Sequence, residues 1–474
     1  MRASSNALLI PAEDFPTKSL INILIIMIIM VTFINRTEEM EILEEIARSD
    51  RAELVLIYGR RRVGKSTLLI EFAKRHRALY LLADVSKNIL EILANQIKDR
   101  FVRFGNWEDF FEFLYESDYE IIIIDEFQYL YMVNKAFPTQ LQRWWEKIKE
   151  RNKKIILCGS MISTIYKIAK GYGSALYGRK TREIKIEPLK FYDVIHFFPK
   201  LSLEKIVKIY SVVGGIPRYV EEFDPKLSLE KNIKKKILNK TSFLYNEPMN
   251  LLFEEFRDPA SYVSIILSIV QGYRRFNEIS SFSGIGENKL SKYLMVLERV
   301  DIIEKDMPVT EKKIKVKRTR YRVKDNFYNF WFRYVFPNRV LLERNEVDKV
   351  YNLIMKDFNS YVGKTFEDIV IQIFPRLKIM DYDRVGRWWH KDKEIDIVAI
   401  NDKERKILLG EVKWKSRVDC DRIVKKLKEK AEYVPWNIGE RKEYYAVFAK
   451  SFERKSEEAI CLDLQDIQRK INSR

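Results

Sequence analysis

A short apolar segment followed by a glycine-rich turn constrains this chain most. Glu53–Tyr58 is mostly apolar, and the sequence GRRRVGKS follows it directly. Gly59 and Gly64 permit positive φ, so consecutive backbone N–H groups can point inward at an anion. Lys65 adds a point charge, Ser66 adds a hydroxyl, and the helix that begins here aims its positive end at the same place. The segment therefore predicts a phosphate-binding loop between a strand and a helix.

Two acidic residues end another strongly apolar run. Ile121–Ile124 is β-branched throughout, as expected of a parallel strand buried on both faces, and Asp125 and Glu126 follow it. The carboxyl edge of such a sheet is where ligands bind, so both carboxylates are expected beside the loop. Asp125 and Ser66 are expected to hold Mg²⁺, and Glu126 to polarise the water that attacks ATP. The loop residues predicted to bind ATP are Gly59, Arg60, Arg61, Arg62, Val63, Gly64, Lys65, Ser66 and Thr67, with Lys65 also acting in catalysis.

Size and charge favour several domains and an anionic partner. The chain has 474 residues, which exceeds one ordinary hydrophobic core and predicts two to four domains. Its formal net charge of +18 favours a partner such as nucleic acid, although solvated charged faces account for most such residues. Cys158, Cys420 and Cys461 show no paired or metal-ligand spacing. We therefore expect a cytoplasmic protein in a reducing compartment, without a zinc site.

An apolar stretch near the N-terminus has two explanations. Leu20–Ile34 is interrupted only by Asn22, but it is shorter than the roughly 20 residues that a helical bilayer span needs. Either residues 1–29 are an upstream extension and the chain begins at Met30, or the stretch is a membrane anchor. We expect no membrane partner.

Strands and helices alternate up to about residue 190, which indicates an α/β fold with a parallel sheet covered on both faces. The further strand candidates are Ala78–Ala83, Lys154–Cys158 and Glu183–Ile186. Ser160 closely follows the second of these, and two roles fit it: a contact with the γ-phosphate, or the N-cap of the next helix. Arg179 and Arg182 precede the last strand, and we expect Arg179 to supply positive charge to phosphoryl transfer.

A pair of glycines marks the end of a predicted helix at Leu203–Val213. Gly214-Gly215-Ile216-Pro217 forms a rigid turn that can press a helical lid onto the nucleotide. With the motifs above, Phe33-Ile-Asn-Arg36 and Tyr177-Gly-Arg179, this set resembles the archaeal ATPases, which are related to the AAA+ and STAND P-loop NTPases. The resemblance covers roughly residues 31–235 and implies a P-loop ATPase core that starts near Met30.

The pattern changes between about residues 255 and 335. An apolar helix at Tyr262–Gln271 precedes two shorter helices, Phe276–Ser281 and Asn288–Arg299, with a glycine turn between them. This is a helix-turn-helix arrangement, and a basic hairpin-like segment follows it, as in a winged-helix domain. The side chains expected to contact DNA phosphates are Lys289, Lys292, Lys315, Lys317, Arg318 and Arg320. The alternative is a winged helix that binds only proteins.

Acidic residues recur near the C-terminus. Asp396 lies in the apolar strand EIDIVAI, and Glu411 and Lys413 lie two positions apart on another strand, hence on one face. Buried carboxylates are costly unless they meet a metal or a partner, so Asp396 and Glu411 are expected to converge on Mg²⁺. Lys413 is expected to activate the attacking water. Glu367, in a predicted helix, is the third carboxylate of the set.

This arrangement is similar to the PD-(D/E)xK nuclease superfamily, with Glu-Ile-Asp396 in place of the usual Pro-Asp. The resemblance implies a metal set of Glu367, Asp396 and Glu411, catalytic roles for Asp396, Glu411 and Lys413, and a domain that is a known companion of archaeal ATPases. Gly386-Arg387-Trp388-Trp389 also looks like part of that domain. Two explanations remain: an active nuclease, or a salt-bridged relic of the fold.

The whole chain is therefore predicted to be a P-loop ATPase with a helical lid, a winged helix and a restriction-endonuclease-like α/β domain. The predicted boundaries are 1–29 for the extension, 30–235 for the ATPase, 236–340 for the winged helix and 341–474 for the nuclease-like domain. We expect ATP and Mg²⁺ as cofactors and DNA as a partner, with a homo-oligomer or protein partners as further expectations. The alternative function is an ATP-dependent signalling switch with a non-catalytic C-terminal domain.

Overall fold

The computed structural model of the protein describes residues 35–98, 101–171, 173–311 and 318–472. Five strands form its first sheet: β1 (Glu53–Tyr58), β2 (Ala78–Leu82), β3 (Ile121–Asp125), β4 (Lys154–Gly159) and β5 (Arg182–Lys185). All neighbours are parallel, in the order β2-β3-β4-β1-β5. Parallel neighbours require crossover connections, which the intervening helices supply. The predicted strand bounds agree with the observed ones to within one residue.

Helices cover both faces of this sheet and continue beyond it. They are α1 (Thr37–Arg48), α2 (Lys65–Ala73), α3 (Ile89–Ala94), α4 (Trp107–Glu116), α5 (Gln128–Val133), α6 (Phe137–Ile148), α7 (Ile162–Ile165), α8 (Phe191–Val194), α9 (Leu203–Val213), α10 (Pro217–Glu221) and α11 (Leu229–Ile233). The residues of β1 alternate between two apolar cores. Leu54 and Leu56 pack into one core, and Val55 and Ile57 pack into the other. A strand buried on both faces explains why its sequence is almost uninterrupted in apolar residues.

The middle region is mainly helical and ends in a small hairpin. Its helices are α12 (Phe243–Glu255), α13 (Pro259–Val270), α14 (Phe276–Ser283), α15 (Glu287–Arg299), α16 (Asn326–Phe330) and α17 (Arg339–Glu343). Strands β6 (Ile303–Asp306) and β7 (Arg320–Val323) pair antiparallel between α15 and α16. Gly284 adopts a φ of 71° at the turn that follows α14. The order of these elements is the one that the sequence predicts.

The C-terminal region is built on a second sheet. Its elements are α18 (Val347–Met355), α19 (Phe358–Leu377), β8 (Arg384–His390), β9 (Lys393–Asn401), β10 (Lys406–Lys413), β11 (Val418–Asp419), α20 (Cys420–Ala431), β12 (Lys442–Ala449), β13 (Phe452–Arg454), β14 (Ile460–Leu462) and α21 (Leu464–Asn472). The sheet order is β14-β12-β10-β9-β8. Strands β8, β9 and β10 form an antiparallel meander, whereas β12 pairs parallel with both β10 and β14. Helix α20 makes the crossover between β10 and β12.

The three regions pack against one another through shared apolar and polar contacts. Val212, Phe327 and Val362, one from each region, belong to the same buried apolar cluster. The Tyr361 hydroxyl on α19 donates a hydrogen bond to the Ser211 carbonyl at 2.9 Å and contacts the Asn326 carbonyl at 3.1 Å. Helix α19 of the C-terminal region is therefore anchored on α9 beside the first sheet.

Two cysteines are bonded to each other, so the prediction that the cysteines are unpaired is wrong for them. Cys420 begins α20 and forms a disulfide with Cys461 on β14, 41 residues away in sequence. Val447 on β12 lies opposite Cys461, and both belong to the small apolar cluster under α20. This long-range contact is invisible in sequence spacing. Cys158 carries a buried free thiol. The argument for a reducing compartment from unpaired cysteines therefore no longer holds.

Two predicted features lie outside the described residues. The apolar stretch Leu20–Ile34 is one, and the basic segment with Lys315 and Lys317 is the other. Among the helices of the described ranges, none has the length and apolarity that crossing a membrane requires.

Candidate nucleotide site and C-terminal carboxylate cluster

The loop between β1 and α2 depends on glycine at both ends. A Cβ at Gly59 would lie 2.3 Å from the Ile186 carbonyl oxygen, so the chain after β5 passes too close for any side chain. Gly64 has a φ of 93° and is the N-cap of α2. The loop thus wraps tightly in front of the helix N-terminus, where backbone N–H groups without helical partners can bind phosphate.

The loop lysine is held inside the loop. Lys65 is buried, and its ammonium donates hydrogen bonds to the carbonyls of Gly59 and Arg60, each at 2.9 Å. The Arg36 guanidinium supports the loop from outside by donating to the Val63 carbonyl at 2.8 Å. Arg36 also donates to the Glu187 carbonyl, after β5, at 2.7 Å. Arg36 is thus a further residue that supports the loop, beyond those predicted from the sequence.

The two acidic residues after β3 lie at the carboxyl edge of the sheet beside the loop. Asp125 is fully buried and accepts a hydrogen bond from the Tyr80 hydroxyl at 2.6 Å. Tyr80 also hydrogen-bonds Ser66, and burial followed by the charge of Asp125 raises the pKa of Tyr80 well above its ordinary value. Tyr80 therefore joins the two predicted magnesium ligands, a role that the sequence analysis missed. The signal was its position on β2, whose neighbour in the sheet is β3.

Glu126 and Ser160 contact each other. The Ser160 hydroxyl donates to the Glu126 carboxylate at 2.7 Å, and Gln128 donates to the same oxygen. Glu126 has a φ of 54°, a left-handed conformation that is uncommon outside glycine. Ser160 makes no cap to the helix that follows; Met161 is the N-cap of α7, without a side-chain hydrogen bond. The helix-cap alternative for Ser160 therefore fails.

The three arginines of the loop point away from it toward the middle region. Arg60 forms a buried ion pair with Asp325, which precedes α16. Arg62 pairs with the buried Glu247 on α12 at 2.7 Å. Arg61 pairs with a second carboxylate of α12, Glu254. The predicted contribution of these residues to ATP binding is thus left to their backbone N–H groups.

Pro217, at the start of α10, comes within 4.0 Å of a Cβ placed on Gly64, as expected for a lid residue.

Arg179 lies at the other edge of the sheet, because it precedes β5 and β5 runs parallel to β1. Its guanidinium is 2.6 Å from the Gln142 side-chain amide on α6. The structure therefore does not bring Arg179 to the phosphate loop of the same chain, and its role in phosphoryl transfer stays a prediction.

Two of the predicted C-terminal carboxylates, Asp396 and Glu411, meet at the Lys413 ammonium. Asp396 on β9 accepts a hydrogen bond from the Val412 backbone N–H at 2.9 Å and lies 3.2 Å from the Lys413 ammonium. Lys413 also pairs with Glu411, whose other oxygen pairs with Lys430 on α20. Burial alone would lower the pKa of Lys413, but the two carboxylates outweigh burial and raise it. Lys430 was missed, because α20 lies beyond both strands in sequence.

Glu367 lies beside this cluster on α19. Burial raises its pKa to about 7, and the negative charge of Asp396 adds to this rise. Lys364 lies 2.9 Å from its carboxylate and Arg387 lies 3.8 Å away, and both oppose the rise. The rise shows that the carboxylate faces another negative charge in a poorly hydrated place.

A basic cleft of about 640 Å³ opens onto these residues. Lys364, Lys413, Lys415 and Lys450 line it, together with Trp414 and Glu367. Within the described ranges, no group of three or more His, Cys, Asp or Glu side chains is arranged to hold a metal ion. The predicted metal set is therefore only partly assembled, since ammonium groups contact Asp396 and Glu411.

The middle region presents some of the predicted basic residues to solvent. Lys289 and Lys292 are exposed on α15. Arg318 instead pairs with Glu311, and Arg320 on β7 lies 4.6 Å above the Trp389 ring of β8. The hairpin thus contacts the C-terminal sheet, which its sequence alone did not show.

Comparisons with known proteins place two families along the chain. Residues 33–223 match a family described as "ATPase domain predominantly from Archaea". Residues 331–429 match a family described as "Archaea bacterial proteins of unknown function" (DUF234).

The chain also matches individual relatives and solved structures. The Walker-type ATPase PABY2304 of Pyrococcus abyssi has a TM-score of 0.49 and 21% identity, covering 63% of this chain and 96% of that one. The ORC2 protein of Aeropyrum pernix, in ADPNP–ADP complexes, has a TM-score of 0.44 and 13% identity, covering 69% and 96%. "Uncharacterized protein MJECL04" of Methanocaldococcus jannaschii is 36% identical over 447 residues, covering 92% of this chain and 99% of that protein. The chain therefore belongs to the same family as this relative, and it carries an archaeal ATPase domain followed by a DUF234 region.

Proposed function

We propose that this chain is a Mg²⁺-dependent ATPase that couples its nucleotide state to a winged-helix and nuclease-like module acting on DNA. The observation that best supports this proposal is the buried ion pair between Arg60 of the phosphate loop and Asp325 of the middle region. Asp325 caps α16 through the Tyr328 backbone N–H at 2.8 Å. Asn326, the next residue, contacts Tyr361 on α19, the helix that carries Glu367. A change in the loop therefore has a short path to the carboxylate cluster.

The nucleotide half of the proposal uses the carboxyl edge of the first sheet. Ser66 and Asp125 supply hard oxygen donors joined through Tyr80, a donor set that suits Mg²⁺. Bound there, the ion would neutralise charge on the transferred phosphoryl group. Glu126 would orient the attacking water once its carboxylate is free. Because Ser160 now donates to Glu126, a γ-phosphate that accepts this hydroxyl instead would release the carboxylate for catalysis.

The middle region supports DNA binding by its element order. Helices α13, α14 and α15 precede the β6–β7 hairpin, as in a winged helix, and the exposed Lys289 and Lys292 lie on its third helix. Such lysines contact phosphates rather than bases, so we propose binding without strong sequence preference. We keep the division at residues 30–235, 236–340 and 341–474 as the proposed domain organisation.

The C-terminal half of the proposal is hydrolysis of a phosphodiester. The α19–β8–β9–β10–α20–β12 order, with carboxylates on the helix and two strands, supports a PD-(D/E)xK-like fold. The acidic oxygens of Glu367, Asp396 and Glu411 suit Mg²⁺, which would polarise the scissile phosphate when bound. Lys413 would shift from the carboxylates toward the attacking water, where its charge also stabilises the phosphorane.

The test measures both activities in the same variants. Wild type, Lys65→Ala and Asp396→Ala are assayed for ATP turnover with and without DNA, and for DNA cleavage in Mg²⁺ or Mn²⁺ with and without ATP. The proposal expects Lys65→Ala to lose turnover and nucleotide control of cleavage, and Asp396→Ala to lose cleavage alone. If added DNA does not change the rate of ATP turnover and the wild type cleaves no DNA, the proposal is wrong.

A second candidate is an ATP-dependent switch that acts through protein partners or a homo-oligomer, with a C-terminal domain that does not cut. Lys413 and Lys430 support it, because their ion pairs already neutralise Glu411 and part of Asp396. In that case Asp396→Ala would change no DNA-cleaving activity, while Lys65→Ala would still abolish nucleotide-dependent partner binding. For either candidate we propose a cytoplasmic location.

A further inference from the structure

A second cavity connects the middle region with the carboxylate cleft. It measures about 130 Å³ and lies between α13, the β6–β7 hairpin and α19. Ser360, Lys364 and Glu367 line both this cavity and the cleft, so the two adjoin at the Glu367 carboxylate. The cavity therefore offers a route from the middle region to the Glu367 carboxylate.

The cavity is lined by an excess of positive charge. Six cationic side chains line it: Arg274, Arg320, Arg322, Arg333, Lys364 and Arg387. Four carboxylates face them: Asp306, Glu367, Asp368 and Glu394. The lining therefore carries two more cations than carboxylates, although Arg333 and Arg322 also pair with Asp357 and Glu304 outside it.

Within the described ranges, part of this charge is only weakly compensated. The exposed side chain of Arg274 forms neither an ion pair nor a hydrogen bond with any described residue. Arg320 is only 3.8 Å from Glu394, a loose ion pair. The Nε of Arg322 is buried and has no hydrogen-bond partner in the described ranges. Burial lowers the pKa of Arg320, and the charge of Arg274 contributes to the same shift. An anion bound in the cavity would offer a negative charge and hydrogen-bond acceptors to Arg274, Arg320 and Arg322.

Aromatic side chains stand at both ends of this path. Tyr273 and Phe282, both exposed, stack on each other with ring centroids 4.5 Å apart, directly beside Arg274. At the other end, Trp414 lines the cleft and the Lys450 ammonium lies 5.3 Å from its ring. Trp414 is mostly buried, so the exposed aromatics are Tyr273 and Phe282 at the Arg274 end. Exposed aromatics next to cations are the features by which proteins bind single strands, because every base has a face to stack.

We propose that Arg274, Arg320 and Lys364 form a phosphate track that leads a single-stranded nucleic acid from the middle region to the carboxylate cluster. The cavity takes one phosphate group of the strand, and Tyr273 and Phe282 stack on a base beyond it. The track rests on the proposed function, because it assigns the substrate class of the proposed nuclease site. A duplex does not fit the cavity, so the track selects a single-stranded end or flap.

The test separates binding from cleavage. Full-length protein carrying Asp396→Asn, which removes one carboxylate charge, is titrated with a fluorescent single-stranded oligonucleotide and with the matching duplex at several salt concentrations. The track variant adds Arg274→Ala and Arg320→Ala. The control variant adds Arg405→Ala and Arg469→Ala, which remove the same charge from exposed surface far from the cavity.

The track variant should bind the single strand about tenfold more weakly, and its plot of log affinity against log salt should lose about 0.7 of slope, the value for the one phosphate that the cavity takes. The control variant should match the parent on both counts, and ATP turnover should be unchanged in both. One neutral methylphosphonate linkage, moved along the strand, should have a position at which it weakens the parent and leaves the track variant unaffected.

Two results overturn the track, and they differ from failure of the proposed function. If the track variant keeps the affinity and salt slope of the control, or if the parent prefers the duplex, the track is wrong while DNA cleavage by the wild type still stands. If the wild type neither binds nor cleaves any DNA, the proposed function fails and the track fails with it.

Discussion

The buried ion pair between Arg60 and Asp325 gives the sharpest test of how the phosphate loop is tied to the rest of the chain. Both side chains are more than nine-tenths buried. Burial alone would lower the pKa of Arg60, but the charge of Asp325 outweighs burial and raises it, so the guanidinium stays charged. Arg60→Met keeps an unbranched apolar stem but removes the guanidinium, and it leaves Asp325 buried without its cation.

The magnitude follows from this geometry. Removing one partner of a buried ion pair costs about 3–5 kcal/mol, because the remaining charge stays out of water. The Tyr328 backbone N–H still donates to Asp325 and holds the loss near the lower end, about 3 kcal/mol. Adding Asp325→Asn removes the stranded charge and keeps an oxygen that can cap α16. The double variant should therefore regain at least half of the loss.

Thermal unfolding measures the effect, since about 1 kcal/mol shifts the midpoint of a domain of 150–250 residues by about 2–4 °C. Arg60→Met should lower the transition that includes the first sheet by about 6–12 °C. Arg405→Met, which breaks an ion pair with Glu440 whose side chains are both more than half exposed, should cost under about 1 kcal/mol. Amide hydrogen exchange adds a functional measure: a non-hydrolysable ATP analogue should alter exchange in α16 of the wild type and not in Arg60→Met.

A different pattern would refute the reasoning. If Arg60→Met and Arg405→Met shift the midpoint equally, the Arg60–Asp325 pair is not shielded from water well enough to change the free energy of unfolding more than an exposed pair does. If the double variant is no more stable than the single one, the stranded charge of Asp325 is not the cause of the loss. If ATP still alters exchange in α16 of Arg60→Met, the loop communicates with the middle region by another contact.

Four further changes test individual residues. Lys65→Ala removes the loop charge, so calorimetric ATP affinity should fall at least about tenfold, and normal turnover would contradict the loop assignment. Glu126→Gln should bind ATP normally and turn over about 10²–10⁴-fold more slowly in a phosphate-release assay. Asp396→Asn should lose metal-dependent cleavage on gels while ATP turnover stays at the wild-type rate. Glu367 has a folded pKa near 7 against an ordinary value of 4.5, so the folded state favours its protonated form. Relative to Glu367→Gln, wild-type stability should therefore fall as pH rises from about 4.5 to about 7, by up to about 3 kcal/mol; parallel melting curves in EDTA across this range would exclude the shift.

Local patterns carried most of what was predictable from the sequence. The strands of the first sheet, including Ile121–Asp125, were found because burial on both faces leaves long β-branched runs. Asp396, Glu411 and Lys413 were found because period two places alternate strand residues on one face. Each of these inferences needs only a few neighbouring residues.

Contacts between distant segments were not predictable in the same way. Tyr80 joins Asp125 to Ser66 only because β2 lies next to β3, and Cys461 meets Cys420 only because β14 pairs with β12. Arg179 was expected near the nucleotide, but its distance from the loop depends on the direction of β5. That direction cannot be read from a motif close to Arg179 in sequence. In each case the decisive quantity is a strand pairing, which no short pattern in one sequence specifies.

The three loop arginines show why a phosphate loop is suited to report its own occupancy. Backbone N–H groups bind the phosphates, so the side chains at the variable positions remain available for other contacts. Here all three pair with carboxylates of the middle region, but the pairs differ in burial. Arg61 and Glu254 are partly exposed, so water compensates when they separate. Arg60 and Asp325 have no such compensation, so even a small shift of the loop on binding phosphate changes their energy most. We therefore expect a nucleotide signal to act chiefly through the one pair that also caps α16.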